Sequence, residues 1–324
     1  FRVAPYIVVV ASFMAFMFLP FSGKLVAVAM DIGLFIALAV LSLEVLGVVL
    51  AGYASGSKWS LFGGMREAAQ MVSYEVPLGL TAVIPVVLAG SMNLSDIGNM
   101  QQGSVFNWFI LHDPLTFLAF FVFFVATLAS NKRAPFDLAE AESELVAGFL
   151  TEYSGFRWSL FFLAEYAAMF FVSGLATILF LGGWWTGIPP LDVWIASLAD
   201  SCWMGDYLVR VIGMKVFLLK SGLLVCVQIW IRWSLPRLRI DQVMTTCLKY
   251  LVPITCFLFV GIILQPLLLA TFLGRTTYWP GDEYDRGSLA EPIGERVPVP
   301  VVVPAATSAV LPESDAQLAM TEER

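Results

Sequence analysis

Long apolar runs constrain this chain more than any other feature of its sequence. A helix that crosses a lipid bilayer needs about 20 mostly apolar residues. Glycine, proline or charged residues separate seven runs of roughly this length. The runs are residues 3–19, 26–51, 68–89, 115–129, 158–181, 208–231 and 250–273. Only 13% of the residues are charged, against about 25% in a soluble domain. The sequence predicts an all-α polytopic membrane protein with seven transmembrane helices.

The composition changes after the last apolar run. Residues 1–273 form the predicted transmembrane domain, and in 274–324 prolines are interleaved with acidic residues. A segment of this kind buries little apolar surface, so we expect a disordered or extended C-terminal tail. The chain opens on Phe1, directly before an apolar run, which favours a sequence whose N-terminal part is missing.

Cysteine and histidine offer no pattern typical of a metal site. The four cysteines show no CxxC spacing, and the only histidine, His112, falls in a polar loop where a turn or surface role is expected. A haem, zinc or iron–sulfur centre held by this chain alone is therefore not expected.

The lysines and arginines between the runs predict how the chain is oriented in the membrane, because short cytoplasmic loops are enriched in these residues. They concentrate in alternate loops, including Lys58, Lys132 and Arg133, whereas the segments 91–113 and 182–206 contain none. The loop that follows residue 130 is therefore predicted to face the cytoplasm or the mitochondrial matrix, and the two longer segments to face outward.

That loop carries the densest group of charges in the first 273 residues. Its members are Lys132, Arg133, Asp137, Glu140, Glu142 and Glu144, with Glu152 following. Asp137 and Glu140 have the spacing of a helix start, where acids suit the helix dipole, and that explanation suffices for them. It explains Glu144 and Glu152 less well. Neighbouring carboxylates raise one another's pKa, so proton transfer is the alternative interpretation.

Charged residues also occur inside the apolar runs. Away from the ends of the runs, the acids are Glu44, Glu75 and Glu165, and the cations are Lys215 and Lys220. Such groups usually face the protein interior or water, because exposure to lipid is costly. Static ion pairs between these acids and lysines are one interpretation, and a hydrated path with carboxylates at several depths is the other.

A basic segment follows the sixth run. Arg232, Arg237 and Arg239 lie within ten residues of one another. They fit either a positively charged membrane anchor or a docking surface for a cytoplasmic partner.

Several strings of residues together resemble a known family. They are REAAQMVSYEV at 66–76, RAPFD at 133–137 with GF at 148–149, TEYSG at 151–155, LFFLAEYA at 160–167, FLGG at 180–183 and PRLRIDQ at 236–242. In these strings the chain is similar to the H subunit of proton-translocating NADH:quinone oxidoreductase (respiratory complex I), called subunit 1 in mitochondria. The similarity covers residues 1–273 and corresponds to spans two to eight of the family's eight.

The resemblance implies a membrane subunit that forms part of the quinone cavity and couples quinone reduction to proton translocation. It implies quinone as substrate, no redox cofactor on this chain, and FMN and iron–sulfur clusters on partner subunits. Partners would be the other complex I membrane subunits, the peripheral quinone-site subunits and membrane lipid, with no nucleic acid. The location would be the inner (plasma) membrane, or the mitochondrial inner membrane in a eukaryote.

The resemblance also assigns roles to residues. Proton coupling would fall to the acids, and Arg66, Glu67, Arg133 and Asp137 would lie at the quinone cavity; the acids are Glu75, Glu140, Glu142, Glu144, Glu152 and Glu165. Many relatives have Glu where this chain has Ser130 and Asn where it has Lys132, so the charge before the RAPFD string is shifted positive. The family's first helix and first loop are absent here.

Three alternatives remain at this stage. The same subunit occurs in membrane-bound hydrogenases and related dehydrogenases, which gene neighbourhood or co-purifying nickel would reveal. A stand-alone proton or cation transporter would act in liposomes without partners. A purely structural anchor would tolerate neutralisation of Glu75 and Glu165.

Overall fold

Helices build the fold in the computed structural model, which describes residues 1–23, 25–138, 147–201 and 204–273. The α-helices are α1 (Ala4–Ala15), α2 (Gly33–Ala54), α3 (Lys58–Ala89), α4 (Leu94–Met100), α5 (Phe109–His112), α6 (Pro114–Ser130), α7 (Phe156–Phe180), α8 (Pro189–Ser201), α9 (Gly205–Ser234), α10 (Ile240–Met244) and α11 (Val252–Leu273). Short 3₁₀ turns occur at Phe16–Phe18, Val105–Asn107 and Gly148–Leu150, and a π-helical segment, Thr245–Leu251, links α10 to α11.

A helix occupies each of the seven predicted apolar runs. Among the described residues, four helical segments are long and apolar enough to cross a membrane: Gly33–Ala54, Lys58–Ala89, Phe156–Phe180 and Ile240–Leu268. Ala4–Phe18 and Pro114–Ser130 are apolar but shorter. Helix α9 has 30 residues and carries Arg210, Lys215 and Lys220. The architecture is therefore all-α, with several helices of membrane-spanning character.

The predicted start of the second run is wrong, because α2 begins at Gly33 and not at residue 26. The chain doubles back between the first two helices. The Phe21 N–H donates to the Leu25 carbonyl and the Leu25 N–H donates to the Ser22 carbonyl. The Val28 N–H donates to the Met17 carbonyl at 3.1 Å. These hydrogen bonds satisfy the backbone locally, so an apolar sequence need not continue as helix here.

The predicted start of the third run is also wrong, because α3 begins at Lys58 and not at residue 68. Glycines there allow close helix packing instead of ending a helix. A Cβ on Gly52 would lie 2.8 Å from the Ser60 carbonyl oxygen, and a Cβ on Gly63 would lie 2.9 Å from the Gly148 Cα. Glycine thus brings α2 against α3, and α3 against the segment that follows the acidic loop.

The helices pack into a bundle that brings distant loops together at its two ends. Helix α1 packs on α2 and α7, and α3 packs on α2, α6 and α11. At one end, Ser60 donates to the Phe149 carbonyl, so the turn after the acidic loop lies beside α3. At the other end, Gln101 donates to the Ile178 carbonyl at 2.7 Å and ties the 91–113 segment to the end of α7.

Candidate functional site

The site centres on the turn of residues 131–138, which follows α6. The side-chain amide of Gln70, on α3, donates to the Ala129 carbonyl at 2.7 Å and to the Phe136 carbonyl at 2.9 Å. The Leu238 N–H donates to the Pro135 carbonyl at 2.9 Å, which joins the turn to the basic segment. Phe136 is buried, although it lies in a polar sequence. The turn is therefore fixed to the bundle through its backbone.

Lys132 is buried between two helices, and its backbone has a left-handed conformation, with φ of 53°. Its ammonium nitrogen lies 3.0 Å from Glu44 Oε1 on α2 and 3.1 Å from Glu67 Oε1 on α3. Burial alone would lower the pKa of Lys132, but the two carboxylates raise that pKa well above its usual value. Lys132 therefore stays charged across the physiological pH range.

Arg133 is directed at a different helix. Its Nη2 lies 3.0 Å from Glu165 Oε2 on α7, and both side chains are largely buried. The guanidinium also lies 4.8 Å from the ring centroid of Tyr166, the next residue along the same helix. An ion pair and a cation–π contact thus hold the same group, and a planar guanidinium suits both.

Asn131 completes a run of three buried polar residues. Its side-chain amide donates to Gln228 Oε1 on α9 at 2.8 Å, and Gln228 donates in turn to Ser173 Oγ on α7 at 3.3 Å. Asn131, Lys132 and Arg133 therefore contact four helices (α2, α3, α7 and α9) through buried polar atoms. Buried polar groups are costly unless they are paired, and each of these three side chains has a partner.

The outer part of the turn faces the basic segment. Arg237 Nη2 lies 2.8 Å from Asp137 Oδ2. Burial raises the pKa of Asp137, and Arg237 and Arg133 oppose that rise. Beside this pair is an open cleft of about 170 Å³, lined by Arg66, Leu138, Arg237, Leu238, Arg239, Ile240 and Asp241. The cleft joins three of the predicted site residues at the surface of the bundle.

The remaining predicted site residues have varied positions. Glu140, Glu142 and Glu144 lie outside the described residues, as does the helix start predicted to follow Asp137. Glu152, Arg232 and Arg239 are exposed. Glu75 is half-buried and has no hydrogen bond or ion pair with any residue that the structure describes. Glu67, Gln70 and Tyr74, on the same helix as Glu75, are buried.

The sequence did not reveal which charges pair. The sequence offers Lys215 and Lys220 as partners for the acids of the apolar runs, but the cations that reach Glu44 and Glu165 are Lys132 and Arg133. Lys220 instead donates to the Leu181 and Trp185 carbonyls, each at 2.6 Å. The sequence did indicate that Glu44 has a buried partner, since a glutamate deep in an apolar run requires one.

The opposite end of the bundle contains a second polar group. His112 is buried, so the turn or surface position predicted for it is wrong, and its Nδ1 lies 2.8 Å from Asp113 Oδ2. Gln265 on α11 donates to the other oxygen of Asp113 at 2.5 Å. Histidine sits inside because Asp113, at the start of α6, supplies a buried partner.

Comparison with known proteins identifies the family. A family model described as NADH dehydrogenase matches residues 1–263. Proteins named as the H subunit of NADH-quinone oxidoreductase are 44% identical over 275 residues in Anaeromyxobacter dehalogenans (strain 2CP-C), and 40% identical over 262 residues in Chlorobaculum parvum (strain DSM 263 / NCIMB 8327). The chain belongs to the H-subunit family of NADH-quinone oxidoreductase. A further member, from Geobacillus thermodenitrificans (strain NG80-2), is 44% identical over 273 residues.

These matches cover most of this chain and a smaller part of each relative. They include 83% of the chain and 66% of the Anaeromyxobacter protein, 80% and 71% for Chlorobaculum, and 83% and 73% for Geobacillus. The family model includes the turn of residues 131–138 and all of the partners described above for that turn, from Glu44 to Leu238. The resemblance drawn from the sequence strings is confirmed.

Proposed function

We propose that this chain is the membrane subunit of an NADH:quinone oxidoreductase that forms part of the quinone cavity and couples quinone reduction to proton translocation. Quinone is the substrate, and the FMN and iron–sulfur groups belong to partner subunits of the same complex. The relatives' name supports this proposal, since it is shared by proteins 40–44% identical to the chain.

One structural observation supports the coupling role. Three consecutive residues directly after α6 make buried polar contacts with four helices, and two of these contacts are ion pairs with glutamates inside apolar runs. Charged groups at membrane depth are costly and are usually retained for function. A structural anchor could be built more cheaply from apolar residues, because replacing a buried ion pair with well-packed hydrophobic groups is often neutral or stabilising.

The ion pairs of the turn suggest how quinone reduction would affect the helices that the turn contacts. Quinone takes up two electrons and two protons on reduction, so the charge beside the turn changes. In a buried site of low dielectric, such a change alters the pKa of nearby carboxyl groups and the strength of their ion pairs. Arg133 connects the turn directly to Glu165 on α7. A shift in this pair would carry the signal into the bundle, with Glu75 and the acids of residues 140–152 as further proton carriers.

The quinone cavity requires partner subunits. The cleft beside Asp137 and Arg237 has a volume of about 170 Å³, whereas small-molecule pockets usually measure about 300–1,000 Å³. We therefore infer that a peripheral subunit docks on Arg232, Arg237 and Arg239 and supplies the remaining walls. Arg66 and Glu67 lie on the α3 side of the same region.

The proposed setting is a seven-span subunit of the inner (plasma) membrane, or of the mitochondrial inner membrane in a eukaryote. The turn of residues 131–138 would face the cytoplasm or matrix, in keeping with the lysines and arginines around it. The tail predicted for residues 274–324 lies outside the described residues. The neighbours would be other membrane subunits of the complex, the peripheral iron–sulfur subunits and lipid.

The test is purification of the complex through this chain, followed by assay of NADH:quinone reduction. We expect NADH-oxidising and iron–sulfur subunits to co-purify, with quinone reduction sensitive to quinone-site inhibitors. Glu165→Gln should lower quinone reduction while NADH oxidation by a water-soluble artificial acceptor is retained. Asp31→Asn is the matched control, because Asp31 is an exposed carboxylate outside the site.

Two outcomes would contradict the proposal. Co-purification with a nickel hydrogenase would assign the chain to a different electron donor. Equal quinone reduction and proton pumping in Glu165→Gln and in the wild-type complex would show that this pair is a structural anchor.

A further inference from the structure

Two carboxylates share one buried ammonium in this chain. Lys132 lies 3.0 Å from Glu44 and 3.1 Å from Glu67, and the three side chains are 7%, 8% and 0% exposed respectively. We call these three residues the Lys132 cluster. They come from three separate places in the sequence, and the residues of the resemblance that were assigned to proton coupling do not include Lys132 or Glu44.

The charges of the Lys132 cluster do not balance. With both carboxylates ionised, the cluster has a net charge of −1 in a site closed to solvent. A buried uncompensated charge is expensive, and two carboxylates close together disfavour the second ionisation. Lys132 remains charged, so neutrality requires one proton on the two carboxyl groups.

The surroundings indicate which oxygen holds that proton. Glu44 Oε2 accepts a hydrogen bond from Ser12 at 3.3 Å. Glu67 Oε2 has no hydrogen-bond partner within the described ranges, and the Glu67 side chain is fully buried. The other titratable groups that act on Glu67 are Tyr74, on its own helix, and Asp137, on the turn. Neither contributes a positive charge. The proton is therefore placed on Oε2 of Glu67, because an ionised oxygen is the costlier one to bury without a partner.

We propose that the Lys132 cluster is a proton-binding site, in which Glu44 and Glu67 share one exchangeable proton that leaves and returns during quinone turnover. This inference rests on the proposed function. Release breaks one O–H bond and leaves a carboxylate with the electron pair, and uptake reforms the bond, so no electrons are exchanged.

Geometry connects this site to quinone chemistry. Lys132 and Arg133 are adjacent, and Arg133 is paired with Glu165 while Lys132 is paired with Glu44 and Glu67. A displacement of the turn that loosens the Arg133–Glu165 pair would therefore also move Lys132 relative to Glu44 and Glu67. Withdrawal of the ammonium would favour uptake of a proton by the cluster, and its return would favour release of that proton.

Conservative variants separate a proton site from a static ion pair. Glu44→Gln and Glu67→Gln each leave Lys132 with one carboxylate, so the buried pair and the fold are kept while the charge imbalance disappears. Lys132→Asn removes the ammonium, and asparagine tolerates the left-handed backbone of position 132. Infrared difference spectroscopy of the purified complex would follow the carboxylic-acid C=O band while pH is changed.

We expect the carboxylic-acid band to be weaker in both glutamine variants and stronger in Lys132→Asn. Quinone reduction should fall by at least about tenfold in the glutamine variants, since loss of a positioned acid–base group typically costs about 10² to 10⁴ in rate. NADH oxidation by an artificial acceptor should be unchanged, and Asp31→Asn should match the wild-type complex in both assays.

The inference is overturned if the glutamine variants keep the wild-type band and the wild-type rate while Glu165→Gln is impaired. That result would leave the proposed function standing and make the Lys132 cluster a static ion pair. The proposed function fails separately, if the wild-type complex does not reduce quinone. In that case the infrared band still reports whether the cluster binds a proton.

Discussion

Gln70 and Phe136 are 66 residues apart in sequence and joined by a hydrogen bond of 2.9 Å between the side-chain amide and the backbone carbonyl. The same amide donates to the Ala129 carbonyl, before the turn. One side chain on α3 therefore holds both ends of the turn that presents Asn131, Lys132 and Arg133 to the bundle. The positions of all three polar residues depend on this bridge.

Replacement of Gln70 by leucine should loosen the turn without changing any charge. Two hydrogen bonds are lost, each worth roughly 0.5–1.5 kcal/mol. We expect a lower thermal midpoint of the purified complex and slower quinone reduction. Gln102→Leu is the matched control, because Gln102 lies at the opposite end of the bundle and is only half-buried. Equal effects of the two variants would exclude a specific role for the Gln70 bridge.

A methyl group at Gly63 should displace the segment that follows the acidic loop. An added Cβ would lie 2.9 Å from both the Gly148 Cα and the Phe149 backbone nitrogen, and a backbone cannot yield as a side chain does. Gly79→Ala is the control on the same helix, because its Cβ would meet no atom within 4 Å. We expect Gly63→Ala to lower thermal stability and quinone reduction, and Gly79→Ala to be neutral or to stabilise α3 by up to about 1 kcal/mol. A neutral Gly63→Ala would contradict the close approach.

Lysine should not replace Arg133 without loss. Arg133 combines an ion pair to Glu165 with a ring contact to Tyr166, and lysine keeps the charge but not the planar group. We expect Arg133→Lys to lose about 0.5–2 kcal/mol of stability, the range of a cation–π contact, and part of the quinone reductase rate. Arg157→Lys is the control, since Arg157 lies 5.5 Å from the Phe1 ring but outside the site. Chemical denaturation of both variants would measure the difference.

The pair formed by Asp137 and Arg237 should make stability depend on pH. Because burial raises the pKa of Asp137 and Arg237 opposes the rise, removing Arg237 should raise that pKa further. Above the pKa of Asp137, Arg237→Gln leaves a half-buried carboxylate without its partner and should destabilise the protein. As the pH falls through this pKa, Asp137 becomes neutral and the difference should vanish. The measurement is the thermal midpoint of the wild-type protein and of Arg237→Gln across acidic pH, with Arg239→Gln as control. A difference between wild type and Arg237→Gln that does not change with pH would contradict the predicted effect of the pair.

Hydrophobic runs predicted the helices well and their ends poorly. Each of the seven runs contains a helix, since burying an apolar stretch in lipid leaves the backbone no partner but itself. The start of α2 could not be predicted, because it depends on Val28 finding a backbone partner in Met17. The start of α3 could not be predicted either, because Gly63 and Gly64 resemble a helix break until the packing partner is known.

The site was predicted in outline and not in its pairing. Arg133, Asp137 and Glu165 were recognised, and the structure joins Arg133 to Glu165 and Asp137 to Arg237. The Lys132 cluster was missed because its members are separated in sequence and only the packing of α2 against α3 brings Glu44 and Glu67 together. The burial of His112 was missed because the neighbouring Asp113 is contacted by Gln265 on α11, which is distant in sequence.

The backbone of Lys132 is left-handed, and both lysine and asparagine can occupy such a position, so the side-chain charge can change while the turn keeps its conformation. Few residue types accept such a conformation, and asparagine is among the most tolerant after glycine. An ammonium can therefore be exchanged for a neutral amide here without rebuilding the turn. Evolution could adjust the acidity of the interior at one codon, while the scaffold around it stays the same.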